Sequence, residues 1–279
     1  MEGWMAGDGT ALGDRMKAYE AATGSVLTRY LPFVIRVDVR SAHSLLRTAN
    51  KPFDMHFVEM MGHVMQDLCR EVQGAVLAYQ QSDEISVLVC AYEEFTQQPW
   101  FGGRVQKIAS VSAGIASVSL AIQRQLHELP HYLAFDARVF ALPNPVEVAN
   151  YFVWRQRDAY RNAVSMAAQA HFSVSELYGK NREQMIAMLS HHHGVFFEDY
   201  PRSARFGQVC TRTDTDTGFY WRFDEAPLFE AQPGNWLVER IPEMPSFGGP
   251  SQSTVDAAVQ EYFPPEVLRD LGRPELFHG

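Results

Sequence analysis

Two short stretches carry carboxylates where an ordinary folded chain has little use for them. In "FVIRVDVR", residues 33 to 40, an apolar, β-branched run meets Asp38 between Arg36 and Arg40. In "QSDE", residues 81 to 84, Asp83 and Glu84 form part of a polar centre flanked by apolar runs. Carboxylates are seldom buried unless something pairs with them. Two that converge repel each other, and a shared proton or a divalent cation relieves the repulsion. A pair of Mg²⁺ ions about 3.5–4 Å apart activates an attacking hydroxyl and stabilises a leaving group on phosphorus. The plain alternative is a salt bridge from Asp38 to Arg36 or Arg40, with "QSDE" as an ordinary hairpin turn.

Other residues have chemistry within reach. Arg104 and Lys107 are three apart beside Gly102 and Gly103. On a helix they share a face, as a phosphate-holding pair or as a solvated edge. Asp136 and Arg138 read as a structural pair. The "HHH" at 191 to 193 reads as a loop, because adjacent histidines cannot all face one ion.

The elements that must position these groups follow from the periodicity. A helix is expected in "TALGDRMKAYEAAT", ended by Gly24, and a strand over 32 to 38. Asp54 caps a helix that spaces Phe57, Met60, Val64 and Leu68 along one side. The stretch 74 to 90 reads as a hairpin with "QSDE" at its turn. A helix near 103 to 127, a strand at "AFDARVFALP" and a helix from Val146 to about Gln169 complete the series. Strand, helix, strand, strand, helix, strand is the α+β, ferredoxin-like plan, an antiparallel sheet with helices on one face. It places the end of the first strand beside the hairpin turn, so Asp38 and Asp83 become neighbours. Residues 1–170 form this unit with its N-terminal helix; 171–279 read as a smaller accessory C-terminal region and tail.

Composition narrows the class. Apolar residues make up 46% and charged residues 20% of 279, the balance of a globular protein. No apolar run reaches the ~18 residues of a membrane span, and "IASVSAGIASVSLAI" (108–122) reads as a tightly packed internal helix. The N-terminus lacks the basic start of a signal peptide, and Cys69, Cys90 and Cys210 suggest neither a disulfide framework nor a zinc site. A cytoplasmic setting without a membrane partner is expected. The net charge of −9 argues mildly against nucleic acid, yet residues 1–170 carry only −2 of it. A basic face on the first part remains open.

Six ordered motifs within roughly residues 30 to 210 give the chain a resemblance to the tRNA-His guanylyltransferase family, and within it to the guanylyltransferase-like 3′–5′ RNA polymerases. They are "RVDVRSAH" (36–43), "KPFD" (51–54), "AYQQSDE" (78–84), Arg104 with Lys107, "FDARV" (135–139) and "WRQRDAYRN" (154–162). The resemblance implies a polymerase-like palm and a nucleotidyltransferase in which the 3′-hydroxyl of an incoming nucleotide attacks an activated 5′-phosphate of tRNA. It implies two Mg²⁺ ions, held by Asp38, Asp83 and the backbone carbonyl of Val39, with Glu84 assisting, and GTP or ATP as substrates. Arg40, Ser41, Ala42, His43, Lys51, Asp54, Ser82, Arg104, Lys107 and Asn162 would contact nucleotide, and relatives form tetramers. Two family glycines are replaced here, by Val39 and Gln80. Where glycine is used for positive φ, such a replacement strains the backbone, which leaves a catalytically lapsed nucleotide- or RNA-binding palm as the alternative. The specialised "HINNLYN" segment of enzymes acting on tRNA-His is "YRNAVSM" here. That favours template-directed repair of tRNA 5′ ends, with Arg155, Arg157 and Arg161 touching the RNA backbone.

Overall fold

A computed structural model describes residues 11–42, 46–47, 49–92, 97–126 and 133–244. A first helix, α1 (Ala11–Ala21), buries none of its residues. β1 (Phe33–Val39) follows, then α2 (Met55–Glu71), where Asp54 accepts from the Phe57 amide as N-cap. Along α2 the side chains of Phe57, Met60, Met61, Val64, Met65 and Leu68 are buried, the spacing of one helical face. β2 (Ala75–Gln81) and β3 (Glu84–Val89) form the hairpin. α3 (Val105–Leu126), β4 (Phe135–Ala141) and α4 (Pro145–Gln169) come next. Asn144 caps α4 by accepting from the Glu147 amide, with Pro145 at the position that needs no amide donor.

The strands form one antiparallel sheet in the order β4-β1-β3-β2, extended by β5 (Gln208–Thr215) and β6 (Gly218–Glu225). The first four strands have the order of the ferredoxin-like plan. α2 and α3 cover one face, where Ile35 and Val37 join Val64, Leu68, Ile108 and Leu120 in the main core. The other face is not left to water. α4 lies on it, with the Tyr151 hydroxyl 2.8 Å from Ser86 Oγ and the Tyr151 ring edge-on to Phe140. The burial of β3 at every position, and of β1 at all but two, explains this: a strand wet on one face would alternate.

Three further expectations change. α3 has a mean hydropathy of 1.5 over Val105–Arg124, enough by length and composition to cross a membrane. It packs Ile108, Ala116 and Leu120 into the core and leaves Val118 and Ile122 exposed, so it is a one-sided helix rather than an internal one. The histidines at 191–193 close α6 (Arg182–His193), which follows the short α5 (Val174–Leu177). Asn181 and Gln184 form a capping box at its start and Gly194 ends it at φ 65, while imidazoles in the last turn suit the negative end of the helix dipole. Finally, no break in packing occurs near residue 170, since the first compact unit runs through to Glu243. β5 pairs with β2 from Leu77↔Thr211 to Gln80↔Gln208, and Tyr92 donates to the Pro242 carbonyl at 3.1 Å.

Candidate active site

Asp38 stands at the end of β1, opposite Glu84 on β3 and Asp136 on β4. The hairpin turn closes toward it, because the Val39 amide donates to the Asp83 carbonyl at 3.1 Å. The Asp38 carboxyl is pushed up to about 6 by burial first, then by the charges of Asp83, Glu84 and Asp136, with Arg36 opposing. Neither Asp38 nor Asp83 is in an ion pair among the described residues. The salt bridge from Asp38 to Arg36 or Arg40 is therefore absent there. Arg36 turns to Glu84 instead, at 3.6 Å, and Arg40 is exposed.

Glu84 is in a different state from its neighbour. Arg155 of α4 donates Nε to one of its oxygens at 2.8 Å and Nη2 to the other at 3.0 Å, and both side chains are buried. A carboxylate held at two points by a guanidinium is neutralised and fixed. Glu84 is thus held by cations where half-buried Asp38 and Asp83 are not, and Arg155, expected on an RNA-facing series, points into the protein.

Val39 is extended and buried, and Gln80 lies within β2; neither has the positive φ that would strain it. Positive φ occurs at Ser41 (61°) and Ser82 (49°), each next to the carboxylate-bearing segments. Arg40 and Ser41 are exposed, Ala42 is buried, and His43 lies outside the described residues. Lys51 donates to the Leu46 carbonyl at 2.9 Å, and Asp54 accepts from the amides of Asn50 and Phe57. Both therefore order the loop before α2. An apolar cleft beside the turn is lined by Phe53, Asp54, Phe57, Gln81, Ser82, Asn162 and Met166. Gln81 Oε1 is buried there with no hydrogen-bond partner among the described residues.

Arg104 and Lys107 do not join this group within one chain. Ser117 Oγ accepts from the Phe135 amide, at the end of β4 that pairs with Val39. Arg104 lies thirteen residues earlier along the chain, about 20 Å back along α3, where it bridges to Val26. Asp136 forms no ion pair with Arg138 among the described residues; its charge acts on Asp38 instead. Sequence reading missed that role, although the alternation of "FDARV" could have placed Asp136 across from Asp38.

The donor set suits a hard divalent ion. Mg²⁺ is commonly held through one or two carboxylates, leaving its other positions to water and phosphate. Asp38 and Asp83 provide two, neither of them in an ion pair among the described residues. No group of three or more His, Cys, Asp or Glu side chains forms a ready-made metal cage among the described residues.

An antiparallel sheet in this order, with carboxylates gathered at the end of its first strand and at its hairpin turn, makes the chain a polymerase-type palm. Comparison with known proteins makes this more particular. A family model described as tRNAHis guanylyltransferase matches residues 13–143. A solved bacterial tRNA(His) guanylyltransferase (Thg1)-like protein in complex with ATP is 34% identical, with a TM-score of 0.77, over 83% of this chain and 99% of that one. A second such structure, in complex with GTP, is 33% identical with a TM-score of 0.65, over 78% of this chain and 93% of that one. The probable tRNA(His) guanylyltransferase of Homo sapiens is 31% identical over 135 residues, 46% of this chain and 44% of that protein. The chain belongs to the tRNA-His guanylyltransferase (Thg1)-like family.

Proposed function

We propose that the chain is a Mg²⁺-dependent nucleotidyltransferase that adds nucleotides in the 3′–5′ direction to the 5′ end of tRNA. The observation that carries this is the convergence of Asp38 and Asp83, with no ion pair to either among the described residues, where the turn meets the end of β1. Asp38, Asp83 and the Val39 carbonyl would hold the ions. Bound there, Mg²⁺ supplies charge neutralisation and Lewis-acid stabilisation of phosphoryl oxygens. The chain's own part is positional. Arg155 fixes Glu84 by both of its oxygens, and the Ser41 and Ser82 turns bring backbone groups to the edge of the site. The cleft beside Gln81 gives a nucleobase an apolar wall and an unpartnered acceptor, the mixture small-ligand sites use. ATP and GTP, found in the two bacterial relatives, are its proposed occupants.

The RNA contact falls to Arg157 and Arg161, both exposed on α4, while Arg161 also pairs with Asp158. Such contacts position a backbone without reading sequence, which supports repair of shortened 5′ ends over dedicated guanylylation. The exposed apolar residues Leu12, Met16 and Tyr19 of α1, and Val118 and Ile122 of α3, support a homo-oligomer. The lapsed-scaffold alternative loses its main support, since neither Val39 nor Gln80 sits where glycine is required.

The test offers labelled nucleotides, with and without Mg²⁺, to a tRNA lacking its first nucleotide and to full-length tRNA-His. Templated addition to the shortened tRNA is expected. Addition of an unpaired guanosine to tRNA-His alone would overturn the repair reading, and no addition to either would return the lapsed scaffold.

A further inference from the structure

Gln80 is a buried carboxamide, 1% exposed, at the next-to-last position of β2. Strand alternation puts its side chain on the face of Ala78, which belongs to the core under α2. Its Nε2 donates to the Ser82 carbonyl at 2.7 Å, reaching past Gln81 to the residue just before Asp83. The reverse amide orientation would set Oε1 against that carbonyl, so the donor is assigned by its partner. Gln80 Oε1 has no hydrogen-bond partner among the described residues, and neither has Oε1 of Gln208, the residue opposite on β5.

We propose that Gln80 is a positioning residue for Asp83. A buried acceptor without a donor is costly, and methionine or leucine would fill a similar volume without that cost. Among the described residues the side chain's hydrogen bond goes to the turn, so the turn is where its amide acts. Ser82 is held there at φ 49, a left-handed conformation that a residue other than glycine keeps only when its surroundings enforce it. The next residue is tied from the other side, by the Val39 amide on the Asp83 carbonyl. Held through Ser82 and through its own carbonyl, Asp83 presents its carboxylate to Asp38 in one arrangement. The residue before β5 backs the clamp: a Cβ added at Gly207 would come within 2.3 Å of the Gln80 carbonyl, so this backbone closes directly on β2. The clamp belongs to this chain, because the family glycine at this position has no side chain to supply it.

The inference rests on the reading of Asp38 and Asp83 as cation ligands, and the experiment separates the two. Mn²⁺ binding to metal-free wild type, Gln80→Met and Gln80→Leu is followed by the paramagnetic resonance of free Mn²⁺, beside thermal unfolding in EDTA. Both variants are expected to bind Mn²⁺ about tenfold more weakly, the lower end of what groups that orient metal ligands contribute. Their unfolding temperatures in EDTA should match or exceed that of wild type. Two substitutions guard against a packing fault peculiar to one. Unchanged Mn²⁺ affinity in the folded variants would overturn the inference and leave the nucleotidyltransferase reading standing. Weaker binding in step with a lower unfolding temperature in EDTA would overturn it in favour of a purely structural role. A wild type that binds no Mn²⁺ would remove the cation reading, and the inference with it.

Discussion

Arg155 of α4 grips both carboxylate oxygens of Glu84 on β3, at 2.8 and 3.0 Å, and so fastens the helix to the strand beside the hairpin turn. The contact sorts three nearby acids into two kinds. Glu84 is paired and buried, whereas Asp38 and Asp83 are in no ion pair among the described residues. Removing one partner of such a pair strands the other. Arg155→Ala should therefore lower stability by about 3–5 kcal/mol, read as a shift of the urea midpoint with unchanged slope. A change within experimental error would show that the pair does not hold α4 to the sheet.

Asp38→Ala and Asp83→Ala are expected to fold and to lose nucleotide addition by several kcal/mol of transition-state stabilisation, the scale of Lewis-acid catalysis. Single-turnover rates at saturating Mg²⁺ measure this. Wild-type turnover in either variant would sink the two-carboxylate reading.

The raised Asp38 pKa, about 6 against an ordinary 3.8, makes a prediction for pH. Between those values the folded chain keeps a proton that the unfolded chain has released. Stability without metal therefore falls as pH rises through that window, and stays lower above it. In EDTA, Asp38→Asn should unfold at a higher temperature than wild type at pH 7.5, with the gap closing by about pH 4. Mg²⁺ should raise the wild-type unfolding temperature at pH 7.5 and have little effect at pH 5. Equal Mg²⁺ effects at both pH values would contradict the assignment.

Arg104 and Lys107 stand about 20 and about 15 Å along α3 from the level of the site, beyond a screening length of about 8 Å in physiological salt. Arg104→Ala and Lys107→Ala should leave Mn²⁺ affinity of the isolated chain unchanged. A marked loss would place them nearer the carboxylates than one chain allows.

Arg157 is exposed and has no ion pair among the described residues. If it contacts an RNA phosphate, Arg157→Ala should weaken tRNA binding and lower the slope of log affinity against log salt by about 1. An unchanged slope would exclude that contact.

Much of the fold was legible in the sequence because its signals are local. The period of Phe57, Met60, Val64 and Leu68, the Asp54 cap and the two apolar runs around "QSDE" each depend on near neighbours, and the alternation of strand and helix then specifies the ferredoxin-like order. The proximity of Asp38 and Asp83 follows from that order alone. What the sequence could not show depends on contacts between distant residues. Arg155 and Glu84 are 71 positions apart, and nothing in "WRQRD" says that its first arginine turns inward to Glu84. The joining of β5 to β2 rests on pairs such as Ala78↔Cys210 between weakly patterned segments. Arg104 and Lys107 share a motif order with the site but begin a helix whose length carries them away from it. Local propensity determined the elements; tertiary packing decided which charges were neutralised and which were left to bind.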